Sequence, residues 1–189
     1  MGNSTKAVHS ARLRLAVRAT SVLWQARQLR WSRTAGTDDL DFRPATRADL
    51  PEIVRMLADD KLGRERERYE DPLPDAYYEA FDRIEAATGN ELIVTVLNGR
   101  IAGSMQLTWI PSISFQGGTR LLIESVRVDS PLRGRGIGAG MFRWAIEEAR
   151  RRGGFMVQLT TNNQRPEARR FYERLGFAAS HVGMKLYLR

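Results

Sequence analysis

Cysteine is absent from this 189-residue sequence, and histidine occurs only twice, as His9 and His181. Without cysteine there can be no disulfide, thiolate metal ligand or cysteine nucleophile, and two histidines leave little for a zinc site or a serine–histidine triad. Long apolar runs are also missing, so we expect no membrane-spanning segment. These absences favour a cytoplasmic protein that uses neither metal nor thiol side-chain chemistry.

Acidic residues are missing from the first part of the chain. Residues 1–37 carry seven of the 30 Lys and Arg residues and none of the 22 Asp and Glu residues, which leaves 23 basic against 22 acidic residues in the rest. The net charge of +8 therefore belongs to the N-terminal arm. We expect the nearly neutral remainder to bind neither nucleic acid nor a membrane, and we leave the partner of the arm open.

We divide the chain into a basic extension, residues 1–41, and one domain, residues 42–189. The extension is predicted to be flexible or a separate helix, and its apolar positions do not separate onto one face. Arg14 and Arg18 interrupt its apolar stretch, which argues against a secretory signal. Three interpretations stay open: a disordered extension, a helix that docks on a membrane surface or a partner, and an organellar presequence.

Alternating helix and strand patterns fill the rest of the chain. The Asn98-Gly99 pair favours a tight type I′ hairpin between two strands, and Thr46 with Asp49 has the spacing of a capping box before the first helix. The predicted strands are 42–45, 91–97, 100–109, 120–129 and 155–160, with a final strand or hairpin over 177–188. The predicted helices are 48–57, 75–87, 137–149 and 166–175. The chain is therefore expected to be an α/β domain.

The segment that indicates chemistry is Arg133-Gly134-Arg135-Gly136-Ile137-Gly138, between a predicted strand and a predicted helix. Backbone N–H groups at a helix N-terminus bind anions. The glycines leave room for a diphosphate near those amides, and the two arginines can add positive charge. We therefore predict a pyrophosphate site here, although a glycine-rich surface turn would contain the same residue types.

Two other nucleotide motifs fit this loop less well. A Walker loop is excluded because no Gly-Lys-Ser/Thr follows. Gly134, Gly136 and Ala139 fit a relaxed dinucleotide fingerprint, but the next predicted strand, 155–160, ends without the acidic residue that would hold a ribose hydroxyl. The loop alone indicates a diphosphate and does not say which compound carries it.

In their order along the chain, these motifs resemble the GNAT superfamily of N-acetyltransferases. The matching residues are Arg133, Gly136 and Gly138 of the pattern Arg-x-x-Gly-x-Gly, the preceding strand Ile123–Val128, and the later run Phe171-Tyr172-Glu173-Arg174-Leu175-Gly176-Phe177. The resemblance covers about residues 42–189, and the stretches 160–165 and 168–172 are similar to the branch that contains aminoalkylphosphonate acetyltransferases. It implies a mixed, mostly antiparallel twisted sheet, flanked by helices and splayed at an acetyl-CoA site.

The resemblance implies that acetyl-CoA is a co-substrate and that no metal takes part. The implied cofactor-binding residues are Val126, Arg127, Val128, Arg133, Gly134, Arg135, Gly136, Ile137, Gly138, Ala139 and Asn163. Val126 and Val128 would bind the pantetheine arm through their backbone groups, and the Val126 N–H would stabilise the oxyanion. Asn163 departs from the family pattern, because it lies farther from the Phe-Tyr pair than the usual asparagine.

Two side chains are candidates for catalysis. Tyr172 matches the family tyrosine that hydrogen-bonds or protonates the departing thiolate. Glu124 is a candidate base, because we expect it to share a strand face with Leu122, Val126 and Val128 and to be partly buried. Each has a structural alternative: Tyr172 as a core aromatic residue, and Glu124 as an exposed carboxylate or the partner of an arginine.

The predicted function is transfer of an acetyl group from acetyl-CoA to a primary amine of a small molecule, by direct attack in a ternary complex. Transfer to a peptide N-terminus or lysine remains an alternative, and so does a non-catalytic acyl-CoA sensor. A small-molecule amine is the expected partner, and a homodimer is one assembly to test. In this family a loop and a helix cover the acceptor, and five residues here fall at those positions: Asp59, Asp60, Tyr77, Tyr78 and Phe81. These residues do not identify the acceptor.

Overall fold

The computed structural model describes residues 40–59 and 63–188. The long helices in this part of the chain are α1 (Leu50–Ala58), α2 (Asp75–Ala86), α3 (Ile137–Arg151) and α4 (Pro166–Arg174). The strands are β1 (Leu40–Pro44), β2 (Asn90–Leu97), β3 (Arg100–Pro111), β4 (Thr119–Val128) and β5 (Met156–Gln158). No helix in the described part of the chain is both long and apolar enough to cross a membrane.

The predicted extension, residues 1–41, lies outside the described residues except for its last two. Those two, Leu40 and Asp41, already belong to β1, so the first strand begins earlier than the sequence predicts. Asp60, predicted to lie near the acceptor, is also outside the described residues. Short 3₁₀ turns at Arg47–Asp49 and Ser130–Leu132 precede α1 and follow β4.

The strands form one mixed sheet in the order β1-β2-β3-β4-β5. The first four run antiparallel to their neighbours, and β5 is parallel to β4. β2 and β3 meet at Asn98 and Gly99, whose φ angles of 51° and 76° are those that a type I′ turn requires. The predicted mixed, mostly antiparallel sheet with flanking helices is therefore confirmed.

Hydrophobic cores lie on both faces of the sheet. On one face, α1 and α2 pack against the central strands, and the buried residues there include Ile53, Val54, Phe81 and Val94. On the other face, α3 packs against β3 and β4, with buried residues that include Met105, Leu107, Leu121, Ile123, Met141 and Phe142. Because helices cover both faces, the ends of the central strands are held in fixed positions, and the predicted site residues on β4 and in the glycine loop lie at or near one of those ends.

The turn before α1 is fixed by charge. Arg43 on β1 donates two hydrogen bonds to Asp49, at 2.7 and 2.9 Å, and the Thr46 N–H donates to the same carboxylate at 2.7 Å. Burial alone would raise the pKa of Asp49, but these hydrogen bonds outweigh it and hold the pKa at about 2. The capping box predicted at Thr46 and Asp49 is present, and the arginine ties it to β1.

The C-terminal segment differs from the prediction. The sequence predicts a strand or hairpin over residues 177–188, but the structure contains no strand there. The alternating apolar side chains Val182, Met184 and Leu186 are 88%, 93% and 86% exposed. A strand needs a neighbour to share its backbone hydrogen bonds, and no such bond joins residues 181–188 to the sheet within the described residues. β5 is also shorter than the predicted 155–160.

Candidate active site

β4 and β5 separate after a short region of pairing. The two strands pair along residues 120–122 of β4, where Leu122 lies opposite Gln158 at the end of the ladder. β4 continues to Val128, so in the described part of the chain the remaining β5-facing edge, Ile123–Val128, has no strand beside it. Backbone groups on such an edge can pair with an extended ligand. The splay that the resemblance implies is confirmed.

A bulge interrupts β4 where it leaves β5. Ser125 and Val126 together lie opposite the single residue Met105 of β3. Ser125 has a φ of 51°, in the left-handed region that residues with side chains rarely adopt. A bulge changes which face the following side chains occupy, and Ile123 before it and Val126 after it both pack against the α3 core. Serine is not a residue whose identity signals positive φ, so this bulge could not be predicted from the sequence.

The bulge overturns the expectation about the surroundings of Glu124. The sequence predicts that Glu124 shares a face with Val126 and Val128, but both valines pack on the α3 side of the sheet. Glu124 follows the buried Ile123 in an alternating strand and lies on the opposite face, where it is exposed. The partial burial expected of a tuned base is therefore absent. Its candidacy as a base rests on its position beside the bulge and stays a prediction.

The predicted glycine loop joins β4 to α3. Gly134 and Gly136 have φ values of 79° and 82°, which glycine adopts without steric cost. A Cβ atom added at either position would meet no described heavy atom within 4 Å. Gly136 immediately precedes α3, and within the described residues no side chain caps the helix and no acid lies in its first turn. Uncapped amides beside open space are the arrangement that binds anions at a helix N-terminus.

The next three residues of the loop have packed surroundings. Ile137 is only 4% exposed, so its side chain is packed within the protein. A Cβ on Gly138 would lie 3.6 Å from Val128 and 3.7 Å from Phe171, in the packed space between β4 and α4. These are ordinary van der Waals distances, so the part of Gly138 in making room for a diphosphate stays a prediction. Ala139 is half-buried in the first turn of α3.

The two arginines of the loop are held differently. Arg133 donates from Nε to the Val128 carbonyl at 3.1 Å, and its Nη2 lies 3.3 Å from Oδ2 of Asp59 at the end of α1. Arg135 is exposed. The loop therefore combines one cation with a defined orientation and one that can turn toward a bound anion.

Tyr172 lies on α4 within an aromatic cluster. Its ring packs edge-on against Phe142, Phe171 and Phe177, at centroid distances of 5.3, 5.4 and 6.2 Å. Burial raises the pKa of Tyr172, against the opposing effect of Arg165 and Arg127. A tyrosine with a raised pKa keeps its O–H proton at neutral pH. The residue is thus part of the core, as its structural alternative proposed, and it also remains a hydrogen-bond donor.

The Tyr172 cluster and the splayed edge belong to the same part of the molecule. Tyr172, Val126 and Val128 all pack against the α3 core. Arg127 donates from Nη1 to the Val126 carbonyl at 2.9 Å, directly after the bulge. The structure therefore brings together the predicted catalytic tyrosine, the predicted pantetheine-binding strand and a cation.

Asn163 lies in the exposed turn between β5 and α4. The neighbouring Asn162 shapes this turn, since its backbone carbonyl accepts from the Arg165 N–H and its Oδ1 accepts from the Gln164 N–H, both at 2.9 Å. Asn163 is therefore placed on the β5 side of the splay. Its part in binding a cofactor stays a prediction.

Sequence reasoning missed the contribution of α1. Arg55 donates to Asp129, the residue after β4, at 2.6 Å, and Asp59 contacts Arg133 in the glycine loop. Charged residues three or four apart on one helix face were the only signal available. That spacing predicts a row of charged side chains along one helix face. It does not predict which residues those side chains contact, because the contacted residues lie far away in the sequence.

The splayed sheet, the bulge and the uncapped glycine loop define the class to which this protein belongs. The model of the Acetyltransferase (GNAT) family matches residues 52–177. The chain belongs to this family. The match includes the splayed edge, the glycine loop and Tyr172.

The chain is also similar to three individual proteins. A transcriptional regulator from Bacillus halodurans C-125 is 51% identical, with a TM-score of 0.76, over 79% of this chain and 99% of that one. An acetyltransferase from Trypanosoma brucei is 28% identical, with a TM-score of 0.63, over 79% of this chain and all 100% of that one. The aminoalkylphosphonate N-acetyltransferase of Salmonella typhimurium is 44% identical over 59 residues, which are 31% of this chain and 38% of that protein. The matches to curated relatives span between 38% and 62% of those proteins' lengths.

Proposed function

We propose that the protein transfers the acetyl group of acetyl-CoA to a primary amine of a small molecule, by direct attack in a ternary complex. The main support is that the unpaired edge of β4 leads into the uncapped glycine loop at the start of α3. An extended arm can pair with such an edge while a diphosphate binds the amides of such a loop. Acetyl-CoA carries a thioester, a pantetheine arm and a diphosphate in that order.

Each part of the site has one task in this proposal. The N–H groups of residues 134–138 bind the diphosphate, and Arg133 and Arg135 add charge. The carbonyls of Val126 and Val128 each accept a hydrogen bond from an arginine, so we assign the arm first to the N–H groups of that edge. The Val126 N–H stabilises the negative charge that develops on the thioester oxygen during attack.

The acceptor amine has to lose a proton before it attacks. An unperturbed alkyl ammonium with a pKa of ~10.4 is neutral in about one molecule in 2,500 at pH 7, so deprotonation costs ~4–5 kcal/mol. Glu124 is exposed beside the bulge, and an exposed carboxylate can receive a proton through a chain of water molecules. We therefore assign it the role of a base that acts through water.

Tyr172 serves the departing thiolate as a hydrogen-bond donor. With ordinary pKa values of ~10 for tyrosine and ~8.5 for a thiol, full proton transfer is uphill by ~2 kcal/mol. Burial raises the pKa of Tyr172, which makes full transfer more unfavourable still. The hydrogen bond is therefore the larger part of its contribution.

Replacement of this hydroxyl gives a sharp test. Tyr172→Phe keeps the ring that packs against Phe142 and Phe171 but removes the donor, so turnover should fall by about 10-fold or more. The affinity for CoA should change by less than about twofold, because the glycine loop is intact. Turnover is measured by release of free thiol and affinity by calorimetry. Unchanged turnover would remove the assignment.

The acceptor class is tested with the unaltered protein. Thiol release from acetyl-CoA is measured with simple amines, aminoglycosides, aminophosphonates and peptides as acceptors, and the acetylated product is identified by mass. Release with a small amine supports the proposal, and aminophosphonates belong in the panel because of the Salmonella relative's name. Release with peptides alone would instead identify a peptide N-acetyltransferase.

A second candidate function is that of a regulatory protein that binds acyl-CoA without turnover. The observation that favours it is the 51% identity to the protein from Bacillus halodurans that is named a transcriptional regulator. CoA binding without thiol release across the whole panel would support this candidate. Thiol release with any member of the panel would exclude a purely regulatory role.

A further inference from the structure

We propose that Arg55 on α1 is a positioning residue for the glycine loop and that it acts through Asp129. The inference rests on the proposed cofactor site, in which this loop binds a diphosphate. The Arg55–Asp129 ion pair joins residues 74 positions apart in the sequence, and it connects an early helix to the end of β4. Loss of this link should weaken binding of the diphosphate more than binding of the pantetheine arm.

The Arg55 guanidinium is held in one orientation. Glu52, one turn earlier on α1, accepts hydrogen bonds from its Nε at 2.9 Å and its Nη2 at 2.6 Å. The same Nη2 donates to Asp129 at 2.6 Å. α1 itself is anchored by the buried residues Ile53 and Val54. The cation is therefore presented to Asp129 from a rigid support.

Asp129 begins a hydrogen-bonded turn that leads into the glycine loop. Its N–H donates to the Ala102 carbonyl of β3 at 2.9 Å, and its own carbonyl accepts from the Leu132 N–H at 2.9 Å. The Ser130 carbonyl then accepts from the Arg133 N–H at 3.2 Å. Because these bonds hold residues 129–133 together in one turn, the position of the Asp129 carboxylate affects where the glycine loop starts.

A second contact joins α1 to the same turn. A hydrogen bond from Ser130, together with the nearby charge of Arg133, lowers the pKa of Asp59. The Arg133 guanidinium lies between this carboxylate, at 3.3 Å, and the Val128 carbonyl, at 3.1 Å. Asp59 and Arg55 are one helical turn apart, so both contacts come from the same end of α1.

The effect of Arg55 should be confined to the loop. The splayed edge around Val126 is positioned by pairing with β3 through the ladder that joins Ser104 to Arg127 and Gly103 to Val128. The side-chain hydrogen bonds of Arg55 go to Glu52 and Asp129 and not to that ladder. A ligand with the pantetheine arm alone should therefore bind normally when the Arg55–Asp129 pair is broken, whereas a ligand with the diphosphate should bind less tightly.

The experiment compares CoA with pantetheine, which lacks the diphosphate and the nucleotide. Dissociation constants for both are measured by NMR titration on the unaltered protein, Arg55→Met, Arg55→Lys and Asp129→Asn. Arg47→Met is the matched control, since it removes an exposed arginine whose described partners, Asp82 at 2.5 Å and the Tyr78 ring at 4.7 Å, both lie on α2 and not in the loop. Melting temperatures are recorded for every variant, and Asp129→Asn keeps the test decisive if Arg55→Met does not fold.

Arg55→Met and Asp129→Asn should each weaken CoA binding by about 10-fold, because a small displacement of binding groups has a large effect. Pantetheine binding should change by less than about twofold, Arg55→Lys should restore part of the CoA affinity, and Arg47→Met should change neither ligand. Equal weakening of both ligands, or unchanged CoA binding in folded Arg55→Met, would overturn the inference. Absence of CoA binding by the unaltered protein would overturn it together with the cofactor site. CoA binding without thiol release would contradict only the proposed reaction.

Discussion

The two ends of α3 are built in opposite ways. The N-terminal end starts from Gly136, and within the described residues it has no capping side chain and no acid in its first turn. The C-terminal end carries arginines in its last turn, and Arg152, just after it, donates to Glu91 at 2.6 and 3.1 Å. The first end leaves backbone donors available to a ligand, whereas the second pairs its charges within the protein.

The C-terminal network is both buried and extensive. Glu148 is only 2% exposed, and it accepts hydrogen bonds from Arg151 and Arg152. The Arg152 guanidinium also lies 4.4 Å above the Trp109 ring. Basic groups suit the negative end of the helix dipole, and the positive end suits an anion. The comparison indicates a division of tasks. The C-terminal end holds α3 on the sheet, and the N-terminal end stays uncapped and can bind a ligand.

The largest effect is expected when the ion pairs at the C-terminal end of α3 are broken. Glu148→Ala leaves the guanidinium of Arg152 without one of its two carboxylate partners, so the free energy of unfolding should fall by about 3 kcal/mol. The loop lies about 20 Å away along the helix, so CoA affinity should change by less than about twofold. Urea denaturation and calorimetry measure the two quantities. A large loss of CoA affinity in the folded variant would show that the two ends are not independent.

A matched pair of glycine variants sharpens the comparison. Gly136 and Gly153, at opposite ends of α3, have φ values of 82° and 72°, and a Cβ on either would meet no described heavy atom within 4 Å. Alanine at each position should therefore cost a similar amount of stability, about 1–2 kcal/mol. Gly136→Ala should also weaken CoA binding by about 10-fold, which corresponds to about 1.4 kcal/mol, whereas Gly153→Ala should leave it unchanged. Equal CoA affinities for the two variants would contradict the division of tasks.

The smallest effect concerns pH. Burial alone would raise the pKa of Glu148, but hydrogen bonds from Arg151 and Arg152 outweigh it and lower the pKa below its ordinary 4.5. A carboxylate with a lowered folded-state pKa stabilises the fold above its unfolded pKa, and this contribution is lost as the pH falls through the folded pKa. The stability difference between the unaltered protein and Glu148→Gln should therefore be largest at neutral pH and shrink below about pH 4.5. Urea denaturation over a pH series measures it, and a difference that grows on acidification would contradict the assignment.

Local signals in the sequence predicted much of the fold and the loop. Asn98-Gly99 marks a turn because both residues need positive φ, and Thr46 with Asp49 marks a helix start because the spacing allows a cap. The glycine loop at 133–138 was predictable for a similar reason, since the positive φ values at Gly134 and Gly136 favour glycine.

Features that depend on distant partners could not be predicted in this way. The bulge at Ser125 depends on the pairing with β3, and it places Val126 and Val128 on the face opposite to Glu124. The Arg55–Asp129 contact joins residues 74 positions apart, which no local pattern reveals. The alternating residues 182–188 satisfy the strand pattern, but among the described residues they have no backbone partner of the kind that a strand requires.

An NMR titration of the isotope-labelled, unaltered protein with CoA tests the division of tasks most directly. Backbone amide shifts report both ends of α3 in one measurement. The largest changes are predicted for the amides of residues 126–138, which include the splayed edge and the glycine loop, while the amides of residues 148–153 should move little. The largest shifts at residues 148–153, or no shifts at high CoA concentration, would contradict the proposed cofactor site.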